Sequence, residues 1–84
     1  MNELANLPNI GKEMTRQLNE IGITTPEQLR AVGSKQAWLK IKAIDPSACY
    51  MRLCGLEGAI SGMRWHYLPI EIKKDLKEFY NKSK

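Results

Sequence analysis

Apolar residues recur along this chain at steps of three and four, and no stretch reads as a strand, so the pattern predicts helices throughout. The longest run of this kind with little charge spans 47–63. There Cys49, Leu53, Leu56, Ile60 and Met63 fall on one stripe, and Tyr50, Cys54 and Ala59 widen the apolar surface beyond a single seam. A helix of that character must be wrapped by others, so it is expected at the centre of the fold. Ile10, Met14, Leu18 and Ile21 form another stripe, with Lys12, Glu13, Arg16 and Glu20 turned to water. Leu29 and Val32 supply the core contacts of a short second helix. Ala37, Trp38, Ile41 and Ile44 supply those of a third, and Ile72, Leu76 and Phe79, flanked by Tyr80, those of the last.

Punctuation between the stripes sets the boundaries. Residues 1–6 hold at most one helical turn before Pro8, Asn9 and Gly11 signal a tight hairpin. Gly22 stops the first helix in the position that favours left-handed φ. Thr25-Pro26-Glu27-Gln28 reads as N-cap, first-turn proline and capping-box glutamine. Gly33 closes that helix, Ser34 is placed to cap the third, and Asp45 before Pro46 to cap the central one. The segment 64–68 breaks the period, Pro69 opens the last helix in its first turn, and 81–84 should fray. Helices are thus expected near 11–21, 25–32, 35–44, 46–63 and 69–81. Short links make them a compact, orthogonal, all-α five-helix domain spanning 1–84. Gly55, Gly58 and Gly62 each cost the central helix about 1 kcal/mol against alanine, so they should mark places where another backbone comes close. A faint internal echo, an apolar residue and a glycine before a helix, links 9–12 to 31–35.

Composition removes several classes. Hydrophobic residues at 43% and charged residues at 26% are globular values and exclude a disordered or fibrous chain. No apolar run approaches the roughly 20 residues of a membrane span, and MNELANLPNIGK has neither the basic nor the apolar region of a signal peptide; a cytoplasmic location, away from membranes, is expected. Cys49 and Cys54, on one predicted helix, point different ways, so both are expected as core thiols without a mutual bridge, Cys49 being shielded and unreactive. His66 has no Cys or His at ligand spacing, so neither metal nor cofactor is expected. Glu57, a lone carboxylate, is a poor catalytic centre and should instead cap a backbone or pair with Arg52, Arg64 or Arg30; no enzymatic activity is expected.

The net charge of +4 is uneven. Acids outnumber bases in the first third, and Arg30, Lys35, Lys40 and Lys42 make the middle basic, as a phosphate-facing patch or as a solvated helix face. Leu7-Pro8-Asn9-Ile10-Gly11-Lys12 resembles the turn of helix-hairpin-helix domains, with Asn9 where a glycine is usual. Glycine lets a backbone approach a phosphate, and the N–H groups of a helix start supply donors and a positive dipole end. The candidate nucleic-acid contacts are therefore Asn9, Ile10, Gly11 and Lys12, extended by Arg16, Arg30 and Lys35; a purely structural turn is the alternative. Trp65 and Tyr67 have rings that stack on bases, yet a Trp at a helix corner more often plugs a core, and His66 reads as surface.

Leu56-Glu57-Gly58-Ala59, Gly62, Trp65 and Leu68-Pro69, taken with 7–12, Gly22-Ile23-Thr24-Thr25 and Leu29-Arg30-Ala31-Val32-Gly33, resemble the C-terminal domain of the TfoX (Sxy) competence regulators over nearly the whole chain. The resemblance implies a helix-hairpin-helix or SAM-like domain associated with regulation of DNA-uptake competence. The full regulators carry an N-terminal domain as well, so the chain is expected to stand as their C-terminal domain alone. Two partner classes follow for a non-enzymatic regulatory module. One is double-stranded DNA, bound weakly and without sequence preference through the hairpin at 8–12. The other is a protein, transcription-related or a second copy in a homodimer, with no DNA bound.

Overall fold

Local signals place most of the helix ends. In the computed structural model, which describes residues 3–83, a 3-10 turn at Glu3–Asn6 precedes α1 (Lys12–Glu20), α2 (Pro26–Val32), α3 (Ser34–Ile44) and α4 (Tyr50–Ser61). A second 3-10 turn at Trp65–Tyr67 leads into α5 (Ile70–Ser83), and no strand occurs among the described residues. Gly22, at φ 91°, ends α1 in a Schellman arrangement: the Ile23 N–H donates to Leu18 O (2.8 Å) and the Gly22 N–H to Asn19 O (3.1 Å). Thr25 caps α2 by accepting from the Gln28 N–H at 3.1 Å. The Gln28 side chain reaches back one residue further than a capping box requires, accepting from Thr24 N (2.7 Å) and Thr24 Oγ1 (3.0 Å).

Several boundaries differ from the sequence reading, among them the end of α4 at Ser61 instead of 63. The central helix starts at Tyr50, because Asp45 is engaged elsewhere: its Oδ1 accepts from Ser47 N (3.0 Å) and Ser47 Oγ (2.5 Å), and its carbonyl accepts from Ala48 N, closing a turn at 45–48. Cys49 becomes the N-cap in extended conformation and is exposed, off the buried stripe it was assigned to. Ser34 is the first residue of α3 rather than its cap, and Gly33 (φ 88°) takes the cap position. The expected fraying of 81–84 does not extend to Asn81, Lys82 and Ser83, which are helical, with Lys42 Nζ donating to Ser83 O at 2.5 Å; Lys84 lies outside the described residues, as do Met1 and Asn2.

α4 lies at the centre, packed against α2, α3, α5 and the Trp65–Tyr67 turn. Leu53, Cys54, Gly55, Leu56, Gly58 and Ala59 are all buried, so over its middle turns only Arg52 and Glu57 stay partly open; Ile60 and Met63 of the expected stripe are partly covered. Around it the core includes Leu18, Leu29, Ala37, Trp38, Ile41 and Leu76, the fully buried members of the other stripes, with Leu4, Ile10, Ile23, Ala48 and Leu68 beside them. Ile44, expected inside, is 48% exposed: α3 ends there and no further turn covers it. Trp38 donates Nε1–H to Cys49 O at 3.1 Å and meets Phe79 edge-on, with ring centroids 6.1 Å apart, which ties α3 to both neighbours. The Cα radius of gyration, 11.6 Å, matches the value of about 12 Å for a close-packed chain of this length. None of the described helices is long and apolar enough to cross a membrane.

A polar junction holds α1 against the 45–48 turn and α4. Asp45 Oδ2 accepts from Arg52 Nη1 and Gln17 Nε2, both at 2.7 Å, while Gln17 Oε1 accepts from the same Arg52 nitrogen at 3.0 Å. The Ser47, Arg52 and Gln17 hydrogen bonds hold the Asp45 carboxyl well below the usual carboxylate range. A depressed folded-state pKa gives stability that is complete above the unfolded value of about 3.9 and is lost as pH falls below it. The urea midpoint of the parent should therefore exceed that of Asp45→Asn at pH 7, and the gap should narrow by pH 3. A gap independent of pH would remove the carboxylate from this account.

Cys49 and Cys54 are free thiols with opposite surroundings. Burial pushes the Cys54 thiol up, away from the reactive thiolate, and leaves 1% of the residue exposed. One equivalent of a maleimide should add quickly to the native protein at Cys49, and the second only on unfolding. Equal rates at both positions would contradict the helix start at Tyr50.

Candidate functional site

The hairpin at 7–12 is seated on α4. Asn9 adopts φ 68°, the left-handed region that asparagine tolerates better than most residues. Its side chain is fully used: Nδ2 donates to Gly55 O (3.3 Å) and Met63 O (3.0 Å), and Oδ1 accepts from the Trp65 N–H (3.2 Å). One amide thus joins the hairpin, the middle of α4 and the corner after it. Two of the α4 glycines face this seat, and one of them, Gly58, is required by it. A Cβ at Gly58 would lie 2.6 Å from Asn9 Nδ2 and 2.7 Å from Met63 O, and one at Gly55 would stand 3.5 Å from Asn9 Cβ. Gly62, at φ 75° in open space, serves the left-handed end of α4 instead.

The other residues considered for phosphate contact are divided. Ile10 is 6% exposed and belongs to the core. Gly11 is the N-cap of α1 without a side-chain cap, so the first N–H groups of α1, with exposed Lys12 beside them, have no capping side chain. Arg16, one turn further, is bound to both Glu13 and Glu20, the latter at 2.6 Å. Those contacts lower the Glu13 pKa and raise that of Arg16. Arg30 is exposed on α2. Lys35 is drawn to α5, with Nζ 2.5 Å from Asp75 Oδ2 and 5.5 Å from the Phe79 ring centroid. Lys42, over Trp38 at 5.1 Å and bonded to Ser83, is likewise engaged, leaving Lys40 as the exposed lysine of α3.

Two clefts open on the surface. One, of about 430 Å³, runs between the start of α3 and α5 and contains Ser34, Glu57 and Asp75. The partner of Glu57 there is the Ser34 hydroxyl, which donates to Oε1 at 2.6 Å, in place of the expected arginine. No group of three or more His, Cys, Asp or Glu able to hold a metal occurs among the described residues. The other cleft, of about 320 Å³, lies where Met14, Met51 and Trp65 meet Gly55, with Arg64 and His66 at its edge. The Trp65, His66 and Tyr67 rings follow one another at centroid distances of 5.2 and 5.0 Å. Trp65 packs on the core, as its corner position predicts, and His66 and Tyr67 are exposed. This second cleft escaped the sequence reading, although Met51 and Gly55, four apart on one helix, put a bulky and an absent side chain on the same face.

The family model described as the TfoX C-terminal domain matches residues 1–80. Protein Sxy of Escherichia coli (strain K12) is 33% identical over 76 residues, which are 90% of this chain and 36% of Sxy; the chain therefore spans little more than a third of that relative. The crystal structure of an uncharacterized protein from Listeria monocytogenes, in a triclinic form, superposes with a TM-score of 0.93 at 47% identity, covering 94% of this chain and 90% of that one. A protein of unknown function from the same organism, in a tetragonal form, gives 0.92 at 45% identity, covering 95% and 99%.

Proposed function

The chain belongs to the TfoX C-terminal domain family, and from that premise we propose that it is a non-enzymatic regulatory module, of the competence-regulator kind, whose partner is a protein. The observation that carries this reading is the exposure of large apolar side chains at the start of α4, in the turn after it and at the start of α5. Met51 is 47% exposed, Tyr67 72% and Ile70 66%, whereas the other large apolar side chains among the described residues are, Ile44 apart, at least partly covered. Two of the basic residues that would follow a phosphate backbone are meanwhile paired within the chain, Arg16 with Glu13 and Glu20 and Lys35 with Asp75.

One observation favours a second reading, contact with duplex phosphates through residues 9–12. The first turn of α1 has no side-chain cap and carries Lys12. Such a site reads no bases, and its affinity for a single copy of the domain is expected to be about 10⁻⁴–10⁻⁶ M at best, with self-association the route to anything tighter. A titration with mixed-sequence duplex DNA at two salt concentrations separates the readings. Protein recognition predicts no saturable shift at physiological salt and no effect of Lys12→Glu. A shift that weakens steeply with salt and disappears in Lys12→Glu would replace it with the phosphate reading.

A further inference from the structure

The cleft between α4 and the Trp65–Tyr67 turn has a composition that specifies its occupant. Its lining includes Met14, Met51 and Trp65, two adaptable thioethers beside an indole, and Gly55, which puts no side chain into it. Its volume of about 320 Å³ is near the lower end of the roughly 300–1,000 Å³ of ligand sites, enough for one or two large side chains. Among the described residues no acidic side chain lines it. The Arg64 side chain at its edge is exposed and has no hydrogen bond or ion pair among the described residues. Lys73 adds a second cation, its Nζ 5.9 Å from the Trp65 ring centroid and held there by His66 O at 3.0 Å. Arg52, also in the wall, is already satisfied by Asp45 and Gln17, so the charge available to a partner is at the Arg64 edge.

We propose that this cleft binds a short acidic segment of a partner protein, which inserts one large apolar side chain between Met51 and Trp65 and presents a neighbouring carboxylate to Arg64. The inference rests on the protein-partner reading and names its chemistry. An apolar lining beside an unpaired guanidinium favours a side chain that is buried next to a group that is charged, and a bidentate carboxylate suits the arginine fork. Single-stranded nucleic acid, the other ligand that combines anion and ring, fits less well. Trp65 packs on the core and carries Lys73 over its ring instead of offering a bare face, and a cleft of about 320 Å³ has room for one or two side chains rather than for successive stacked bases.

The test is selection of a random dodecapeptide library displayed on phage against the 84-residue chain, followed by titration of the enriched peptides. Enriched sequences should combine Asp or Glu with Leu, Phe, Met or Trp. Binding of the enriched peptides that lack Trp should change tryptophan fluorescence, a signal assigned to Trp65 because Trp38 is wholly buried. Arg64→Glu and, separately, Met51→Glu should each weaken binding about tenfold or more, with the circular dichroism of the fold retained, while Lys40→Glu leaves it unchanged. Enrichment of basic or uncharged peptides, or acidic peptides that bind Arg64→Glu as well as the parent, would overturn the cleft assignment and leave the broader reading standing. If nothing is enriched and a mixed single-stranded dodecanucleotide binds the cleft instead, both the assignment and the protein-partner reading fall.

Discussion

Leu56→Ala is expected to cost about 2–5 kcal/mol, a large part of the roughly 5–8 kcal/mol that a domain of this length possesses. Leu56 has no exposed surface and lies on the helix around which α2, α3 and α5 are packed, so the vacated space cannot close without moving several elements at once. The variant should show a sharply lower urea midpoint, or a broadened transition where the folded state is only just populated. Lys40→Ala, at an exposed position of α3, should stay within about 0.5 kcal/mol of the parent. Indistinguishable midpoints for the two variants would mean that the core does not centre on α4.

Gly58→Ala sets two principles against each other, and their magnitudes decide the sign. In a helix interior alanine should gain about 1 kcal/mol over glycine. At this position the new Cβ would fall 2.7 Å from Met63 O and 3.2 Å from Trp65 Cα, both backbone atoms, and 2.6 Å from Asn9 Nδ2. Relieving those contacts displaces the corner after α4 and breaks the bonds Asn9 makes to it, and overpacking of this kind costs about 1–3 kcal/mol, here at the upper end because backbone must move. A net loss of about 2 kcal/mol is expected. Gly55→Ala, whose Cβ would make ordinary contact at 3.5 Å, should be neutral or stabilising by up to about 1 kcal/mol. A pair of thermal melts in which Gly58→Ala is the more stable of the two would show that the hairpin does not rest on α4 as described. The cleft at Met51 and Trp65 should deform with Gly58→Ala, so the same variant should also lose acidic-peptide binding while Gly55→Ala is judged by whether its methyl narrows the cleft.

The candidate site was legible only in pieces. Gly11 and Lys12 could be read as a helix start with open donors, and the structure keeps them so. The same reading made Asn9 a departure from a glycine turn, when its amide is the tie to Gly55, Met63 and Trp65 across separations of 46 to 56 residues. The pairing of Lys35 with Asp75, 40 residues on, likewise withdrew a cation that the sequence had left available.

What the sequence determined by itself is what bonds within a few residues can enforce: the order and number of helices, the Gly22 stop and the Thr25 cap with Gln28 behind it. Each of these is closed by partners no more than five residues apart, so the residue types alone identify it. The tertiary structure decided where a residue had more than one suitor. Asp45 stands before a proline as a good helix cap, but Ser47 takes one of its oxygens, and the other lies in reach of Gln17, 28 residues earlier, and of Arg52. A carboxylate shared among charged and neutral donors outweighs a single cap, which is typically worth about 1 kcal/mol. The start of α4 therefore moved to Tyr50, Cys49 moved into solvent, and a cleft opened beside Met51 that no local pattern announces.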